Sequence, residues 1–300
     1  AKDSSEIENI ITTQDELYKA LTTNGKYTSE IKEVINYRKA IFLGHEIIQK
    51  QGFLRLKDIE ELQKTIVENN AGVRNMPGTV LKNDKTGEIV YTPPQEKNEI
   101  LDLLSNFLDH FNLNQNDLSP LINLAILHYQ FESVHPFYDG NGRTGRILNI
   151  LYLIINELLD IPILYLSSYI NENKSEYYKL LNTVNKTDEW EEWILYILKA
   201  IEETSNKTII KINSIKELLD DTIKIAQENA SKIYRKELIE LLFEQPYSKI
   251  DFVVDRLGVE RKASSRYLKK LEEIGILKSQ KIGRETIYIN LKLIDILKNH

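Results

Sequence analysis

His135-Pro136-Phe137-Tyr138-Asp139-Gly140-Asn141-Gly142-Arg143-Thr144-Gly145-Arg146 separates two strongly apolar segments, residues 121–134 and 147–159. The second is apolar nearly all round, which predicts a central, buried helix. The stretch itself packs one imidazole, one carboxylate, three glycines, an amide and two guanidiniums into twelve residues. Packing alone does not account for so polar a connection between buried helices. Gly140-Asn141-Gly142 lies where the loop enters the second helix. Glycines there let backbone N–H groups turn toward one point, and the helix N-terminus adds about half a positive charge. Arg143 and Arg146, three residues apart, share a helix face and can hold several phosphate oxygens. These features describe an anion site matched to a polyphosphate. Asp139, the only acid in the stretch, suits Mg²⁺ shared with phosphates and argues against an all-protein metal cage. His135, whose unperturbed pKa would lie near ~6.5, suits a general base for an incoming hydroxyl. The reaction class is substitution at phosphorus, with positioning and charge neutralisation supplying most of the rate. A Gly-x-x-x-x-Gly-Lys-Ser/Thr loop and protein-kinase signatures are absent.

Working outward, Ser119 and Pro120 are a cap and first position for the helix that precedes the loop. His128 within it reads as a core histidine. Residues 28–51, 56–69 and 94–111 carry apolar positions at helical spacing. Residues 71–94 change character, with Gly72, Pro77, Gly78, Gly87, Pro93 and Pro94 breaking the helical pattern. Thr79-Val80-Leu81 and Ile89-Val90-Tyr91 predict a β-hairpin in an otherwise helical chain. A lone hairpin needs something to pack on, and its free edge can accept an extended peptide by strand addition; a surface ornament is the alternative. At the start of the chain, Ser4-Ser5-Glu6-Ile7-Glu8-Asn9 predicts a helix start, with Ser5 and Glu8 spaced as a capping box.

Downstream, Tyr177-Tyr178 lies on one expected helix, and Asn185 precedes another that carries Trp190 and Trp193. Residues 201–230 are rich in Lys and Glu and read as a helical connector. Residues 229–300 hold 15 Lys and Arg against 10 Asp and Glu, although the whole chain carries −6. That asymmetry marks a separate C-terminal module. Helices over 234–244, 250–257 and 262–274 are followed by β-runs over 276–281 and 286–290, turning at Gly283-Arg284-Glu285. This pattern resembles the winged helix-turn-helix family. It implies either DNA contact, with the third helix in the major groove and Arg284 near the backbone, or a protein-interaction domain of the same shape.

The chain has no cysteine, which excludes disulfides, thiolate catalysis and cysteine-ligated metals. Its longest apolar runs are too short to span a bilayer, and its first residues are polar and acidic, unlike a signal peptide. No membrane partner and a cytoplasmic location are therefore expected.

The central loop resembles the Fic/Doc family, whose motif reads His-x-Phe-x-(Asp/Glu)-Gly-Asn-Gly-Arg-x-x-Arg. His135, Phe137, Asp139, Gly140, Asn141, Gly142, Arg143 and Arg146 fill every specified position. The resemblance implies a mainly α fold: a Fic-type helical core with a β-hairpin flap, followed by the winged helix-turn-helix domain. The expected divisions are 1–58 for N-terminal helices, 59–202 for the core, 203–230 for the connector and 231–300 for the winged domain. It also implies AMP transfer from ATP, with Mg²⁺, to a Ser, Thr or Tyr hydroxyl of a protein substrate, including self-modification. His135 would deprotonate the hydroxyl, and Asp139 would bind Mg²⁺. The amides of Gly140–Gly142, with Asn141, would hold phosphates. Arg143 and Arg146 would bind the outer phosphates, with Thr144 and Gly145 in the same nucleotide loop. Phe137 would anchor the loop in the core. Thr79, Val80 and Leu81 would align the target as an added strand, and Tyr177, Tyr178 and Asn185 would lie near the adenosine. Many family members carry an inhibitory (Ser/Thr)-x-x-x-Glu-(Gly/Asn) helix. Ser4, Glu8 and Asn9 fit it, so Glu8 would pair with Arg146 and repel the γ-phosphate. Removal of AMP, transfer in both directions, another phosphate-containing donor, and a DNA-binding regulator with a Fic-type sensor domain remain alternatives. A homodimer is also left open.

Overall fold

The computed structural model describes residues 1–22, 27–82, 87–113, 117–164, 166–282 and 285–298. Its helices in chain order are α1 (Lys2–Ile7), α2 (Gln14–Thr22), α3 (Ser29–Gln51), α4 (Leu56–Val67), α5 (Lys97–Leu113), α6 (Pro120–Val134) and α7 (Asn141–Ile155). Then come α8 (Leu166–Glu172), α9 (Lys174–Thr187), α10 (Glu191–Asn229), α11 (Lys236–Glu244), α12 (Ile250–Leu257), α13 (Arg261–Glu273) and α14 (Leu291–Lys298). The strands are β1 (Leu81–Lys82), β2 (Ile89–Tyr91), β3 (Tyr247–Ser248), β4 (Lys278–Ile282) and β5 (Glu285–Ile289). No helix among the described residues is long and apolar enough to cross a membrane.

The chain forms two compact units, residues 1–11 with 32–205 and residues 12–31 with 206–300. In the first, α6 and α7 pack together at the centre, α5 covers α6, and α4 packs on α7. Every residue of α7 from Arg143 to Ile154 is buried. Its apolar part joins Leu104, Phe107, Phe131 and Trp193 in one core, and Trp193 Nε1–H donates to the Ala125 carbonyl at 2.9 Å. Ser119 caps α6 by accepting from Leu121 N–H, with Pro120 at the first position, as the sequence predicts. The apolar run continues to residue 159, but α7 stops at Ile155. Asn156 closes it, its side chain donating to the Tyr152 carbonyl at 2.9 Å, and Glu157 follows with φ +56°. The hairpin is shorter than expected. Pairing begins at Leu81, opposite Tyr91, so Thr79 and Val80 lie outside it. The turn between the strands includes residues 83–86, outside the described ones.

The second unit contains the expected three helices, α11 to α13. Leu238, Leu242, Val253, Leu268 and Leu271 form their core. The wing is a three-stranded antiparallel sheet, ordered β3-β5-β4, where two strands were expected. The short β3 pairs Tyr247 with Ile289. Gly283 and Arg284 of the expected turn lie outside the described residues, so the placement of Arg284 beside DNA has no structural counterpart here. The two units do not divide at residue 58: residues 1–11 and 32–58 cluster with residues 59–205, and α2 clusters with the second unit. The cause is Tyr247. Its ring stacks on Tyr18 at 5.5 Å, its hydroxyl donates to Asp15, and its carbonyl accepts from Thr22 Oγ1 at 3.2 Å.

Candidate nucleotide site

The loop between α6 and α7 is shaped by its own side chains. His135 ends α6 in the left-handed region, with φ +47°, and its N–H donates to the Phe131 carbonyl. Phe137 is fully buried, as expected of an anchor. Asn141 faces back along the loop: its Oδ1 accepts from Phe137 N–H at 2.8 Å and its Nδ2 donates to the Phe137 carbonyl at 2.7 Å. Its side chain therefore fixes the loop through Phe137. Asp139 accepts from Gly140 N–H at 2.6 Å and from Arg143 Nη2 at 3.0 Å, and Gln63 Nε2 donates to its carbonyl at 2.9 Å. Gly140 caps α7 with φ +80°. The first N–H groups of α7, at Asn141, Gly142 and Arg143, have no intrahelical carbonyl to bind, by position in the helix. They are the N–H groups that an anion would meet.

Both arginines are closed by carboxylates from upstream helices. Arg146 is only 2% exposed. Its Nε donates to Ser4 Oγ, and its Nη2 to the Ser4 carbonyl and to Glu8 Oε1, each at 2.8 Å. Burial alone would lower the Arg146 pKa, but Glu8 outweighs it and holds the guanidinium charged. Burial likewise pushes the Glu8 carboxyl up, and Arg146 reverses that, leaving Glu8 below the ordinary carboxylate range. Gly142 makes this approach possible: a Cβ at 142 would sit 2.5 Å from Glu8 Oε1 and 2.9 Å from Arg146 Nη1. Arg143 meets Glu33 of α3 at 2.5 Å. Glu33 is absent from the residues expected at the site, because nothing local distinguishes it from other acids on an amphipathic helix.

The capping-box expectation for Ser5 and Glu8 is not met. The helix begins at Lys2, Ser5 lies inside it, and Glu8 is its C-cap. Ser4 and Ser5 are fully buried, because this face of α1 docks on α7 and α8. Asn9 follows with φ +63°, a conformation in which Asn and Gly are the favoured residues. Lys174 donates to the Ile7 carbonyl and, at 3.4 Å, to Asn9 Oδ1. Glu8 therefore reaches Arg146 from the end of a short helix fixed on both sides.

The remaining predicted residues are placed less uniformly. Tyr177 is buried in the core, its hydroxyl 2.9 Å from His128 Nε2. Burial holds His128 down to about 3, so it is neutral, in line with a core role. Tyr178 is 45% exposed. Asn185 accepts from the Tyr129 hydroxyl at 2.6 Å. At the flap, Thr79 offers its carbonyl to Gln95 Nε2 at 3.0 Å, and the Tyr138 hydroxyl accepts from the N–H groups of Asn75 and Met76. Tyr138 occupies an unspecified motif position, and its tie to the flap base is not legible from spacing. His135 itself is held down to about 4, by burial first, with the Glu132 backbone opposing and Arg74 adding to the shift. A neutral imidazole is thus available at neutral pH.

A helical core whose two central helices are joined by a loop rich in glycine and arginine, with Glu8 closed on Arg146, is the setting in which the likenesses are read. Residues 53–153 match the Fic/DOC family, residues 1–46 the Fic/DOC family N-terminal model, and residues 218–293 the model described as "Protein adenylyltransferase SoFic-like, C-terminal domain". The chain thus carries a Fic/DOC domain over residues 53–153, preceded by a segment that matches the Fic/DOC N-terminal model. It is 27% identical over 202 residues to a protein adenylyltransferase Fic from Drosophila mojavensis, covering 66% of this chain and 36% of that protein. It is 28% identical over 191 residues to protein adenylyltransferase fic-1 from Caenorhabditis briggsae, covering 62% of this chain and 35% of that protein. The chain thus spans about a third of the length of these curated relatives. Among solved structures, a Fic family protein from Desulfovibrio desulfuricans G20 superposes with a TM-score of 0.58 at 17% identity, covering 96% of this chain and 84% of that one. Fic-1 from C. elegans gives 0.54 at 23% identity, over 70% of this chain and 61% of that one. These likenesses establish the fold.

Proposed function

We propose that this chain is a protein adenylyltransferase held inactive by Glu8. The hydroxyl oxygen of a Ser, Thr or Tyr would form a bond to the α-phosphorus of ATP, the bond to pyrophosphate would break, and the hydroxyl proton would pass to His135. The free N–H groups at the start of α7 and the Arg143 and Arg146 guanidiniums would take the phosphates. The observation that carries this reading is the Glu8–Arg146 contact at 2.8 Å, which places a carboxylate where an outer phosphate would lie. The names of the relatives agree with it.

Mg²⁺ fits the donor set. No group of three or more His, Asp or Glu among the described residues could cage a metal alone, but the Asp139 side chain is 63% exposed. One reachable carboxylate beside a phosphate site is what Mg²⁺ uses, its other ligands being waters and phosphate oxygens. The ion would neutralise phosphate charge. A reaction that consumes ATP requires a compartment supplied with it, and the cytoplasm is the one we propose. Incubation with labelled ATP tests the reading: Glu8→Gly should raise transfer of AMP to protein, and His135→Ala should abolish it. Removal of AMP from a modified target, with Glu8 orienting water, is separated by offering an AMP-modified protein to wild type and Glu8→Gly.

For the second unit we propose contact with duplex DNA. Lys262, Arg266 and Lys269 lie on an exposed side of α13, at the edge of an approximately 850 Å³ groove that Lys232 also lines. Changing Arg266 and Lys269 to Ala should weaken duplex binding and flatten its salt dependence. No binding at low salt would leave a protein-interaction module.

A further inference from the structure

Arg74 is a fully buried guanidinium with no carboxylate partner among the described residues. A buried charge of this kind is normally paired. Its hydrogen bonds go instead to backbone carbonyls. Nε donates to His135 at 2.8 Å and Nη2 to Val134 at 3.2 Å, while the Arg74 backbone N–H donates to Pro136 at 2.9 Å. One residue therefore binds three consecutive carbonyls, those before, at and after His135. A cation at the C-terminus of α6 also meets the negative end of that helix. Nη2 reaches a fourth carbonyl, at Pro94, which follows strand β2 of the hairpin. The neighbours of Arg74 extend the tie: Val73 forms an isolated antiparallel bridge with Phe137, and Asn75 and Met76 bind the Tyr138 hydroxyl.

The root of the hairpin and the backbone around His135 are thus joined through one side chain. We infer that Arg74 is a positioning residue, which fixes the His135 imidazole relative to the hairpin so that a hydroxyl aligned on the hairpin lies within reach of the base. The inference rests on the adenylyltransferase reading. It also carries a consequence that a general packing role does not: loss of Arg74 should separate two nucleophiles. A protein hydroxyl needs both the hairpin and His135 in register, whereas water attacking ATP does not need the hairpin.

The test uses the full chain with Glu8→Gly as reference, and adds Arg74→Met or Arg74→Lys. Four readouts are taken: melting temperature, Mg-ATP affinity, self-labelling from α-labelled ATP, and release of AMP by hydrolysis. With Arg74→Met, self-labelling should fall about 100-fold, the scale of a misplaced reacting group. ATP affinity should stay within about threefold, and hydrolysis should fall much less than labelling. Arg74→Lys keeps the charge without the planar fork and should show the same split in weaker form; it carries the test if Arg74→Met does not fold. Equal losses in labelling and hydrolysis, or no loss in either, would overturn the inference. If the Glu8→Gly reference neither labels nor hydrolyses, the adenylyltransferase reading fails separately. Arg74 is then judged by the NMR resonances of the His135 ring in wild type and Arg74→Lys: displacement supports the positioning role, and unchanged resonances contradict it.

Discussion

Glu8→Gln removes one charge and almost no volume, so its effect on nucleotide affinity follows from the electrostatics of a single pair. The carboxylate and guanidinium meet at 2.8 Å, with Arg146 2% and Glu8 35% exposed. Two unit charges about 4 Å apart are worth about 4 kcal/mol at an effective dielectric of about 20. Solvent on the Glu8 side screens the pair, and roughly 2 kcal/mol is the reasonable remainder. On the proposed reading a phosphate would have to displace Glu8 to reach Arg146, so that energy would oppose ATP. Its removal corresponds to an increase in Mg-ATP affinity of about 30-fold. The two contacts from Arg146 to Ser4 do not involve the Glu8 carboxylate, so α1 should stay docked. Isothermal titration calorimetry of wild type and Glu8→Gln reads the affinity, and thermal melting checks the fold. The pair also gives a pH sign. The Glu8 pKa lies below its ordinary value, so its stabilising contact is present above the ordinary carboxylate range and is lost as pH falls through the lowered value. A change in affinity below about twofold, with an unchanged melting temperature, would refute the competition between Glu8 and phosphate.

Three further outcomes are expected. Glu33→Gln should also raise Mg-ATP affinity, by about threefold, since Glu33 meets Arg143 from a partly exposed position; calorimetry reads it. Burial pushes the Glu132 carboxyl up to about 7, against the pull of Arg146 and with Glu8 adding to the rise. A raised folded pKa gives stability that is full below the unfolded value and lost as pH rises through about 7. Glu132→Gln should therefore melt like wild type near pH ~5 and be more stable near pH ~8, by about 2 kcal/mol. Gly145→Ala should destabilise the chain by about 1–3 kcal/mol in denaturant titration, although Ala is ordinarily the better helix former. The new Cβ would lie 2.6 Å from Glu132 Oε1 and 3.1 Å from Phe131 Cδ1.

The parts of the fold legible in the sequence are those set by local chemistry. Ser119-Pro120 starts α6, Gly258 ends α12 with φ +62°, and the apolar face of α7 announces a central helix. The glycines and arginines of the loop likewise point to an anion site from their own types and spacing. What escaped is non-local. Glu33 and Arg74 act through partners 110 and 61 residues away, and neither sits in a pattern that spacing could single out. Asn141 illustrates a subtler limit: its place in the motif is clear, but only the fold reveals that its amide binds Phe137. Ser5 and Glu8 fit a helix start by spacing, yet tertiary docking of α1 puts Ser5 in the helix interior and Glu8 at its end. Similarly, α2 joins the winged unit because Tyr18 finds Tyr247, a contact no local rule encodes.

Transfer itself is tested most directly by incubating the Glu8→Gly chain with Mg²⁺ and ATP labelled in parallel at the α- or the γ-phosphorus. The adenylyltransferase account predicts that protein takes up the α-label and not the γ-label, that wild type takes up much less, and that Glu8→Gly combined with His135→Ala takes up none. Uptake of the γ-label, or α-label uptake that survives the loss of His135, would contradict it.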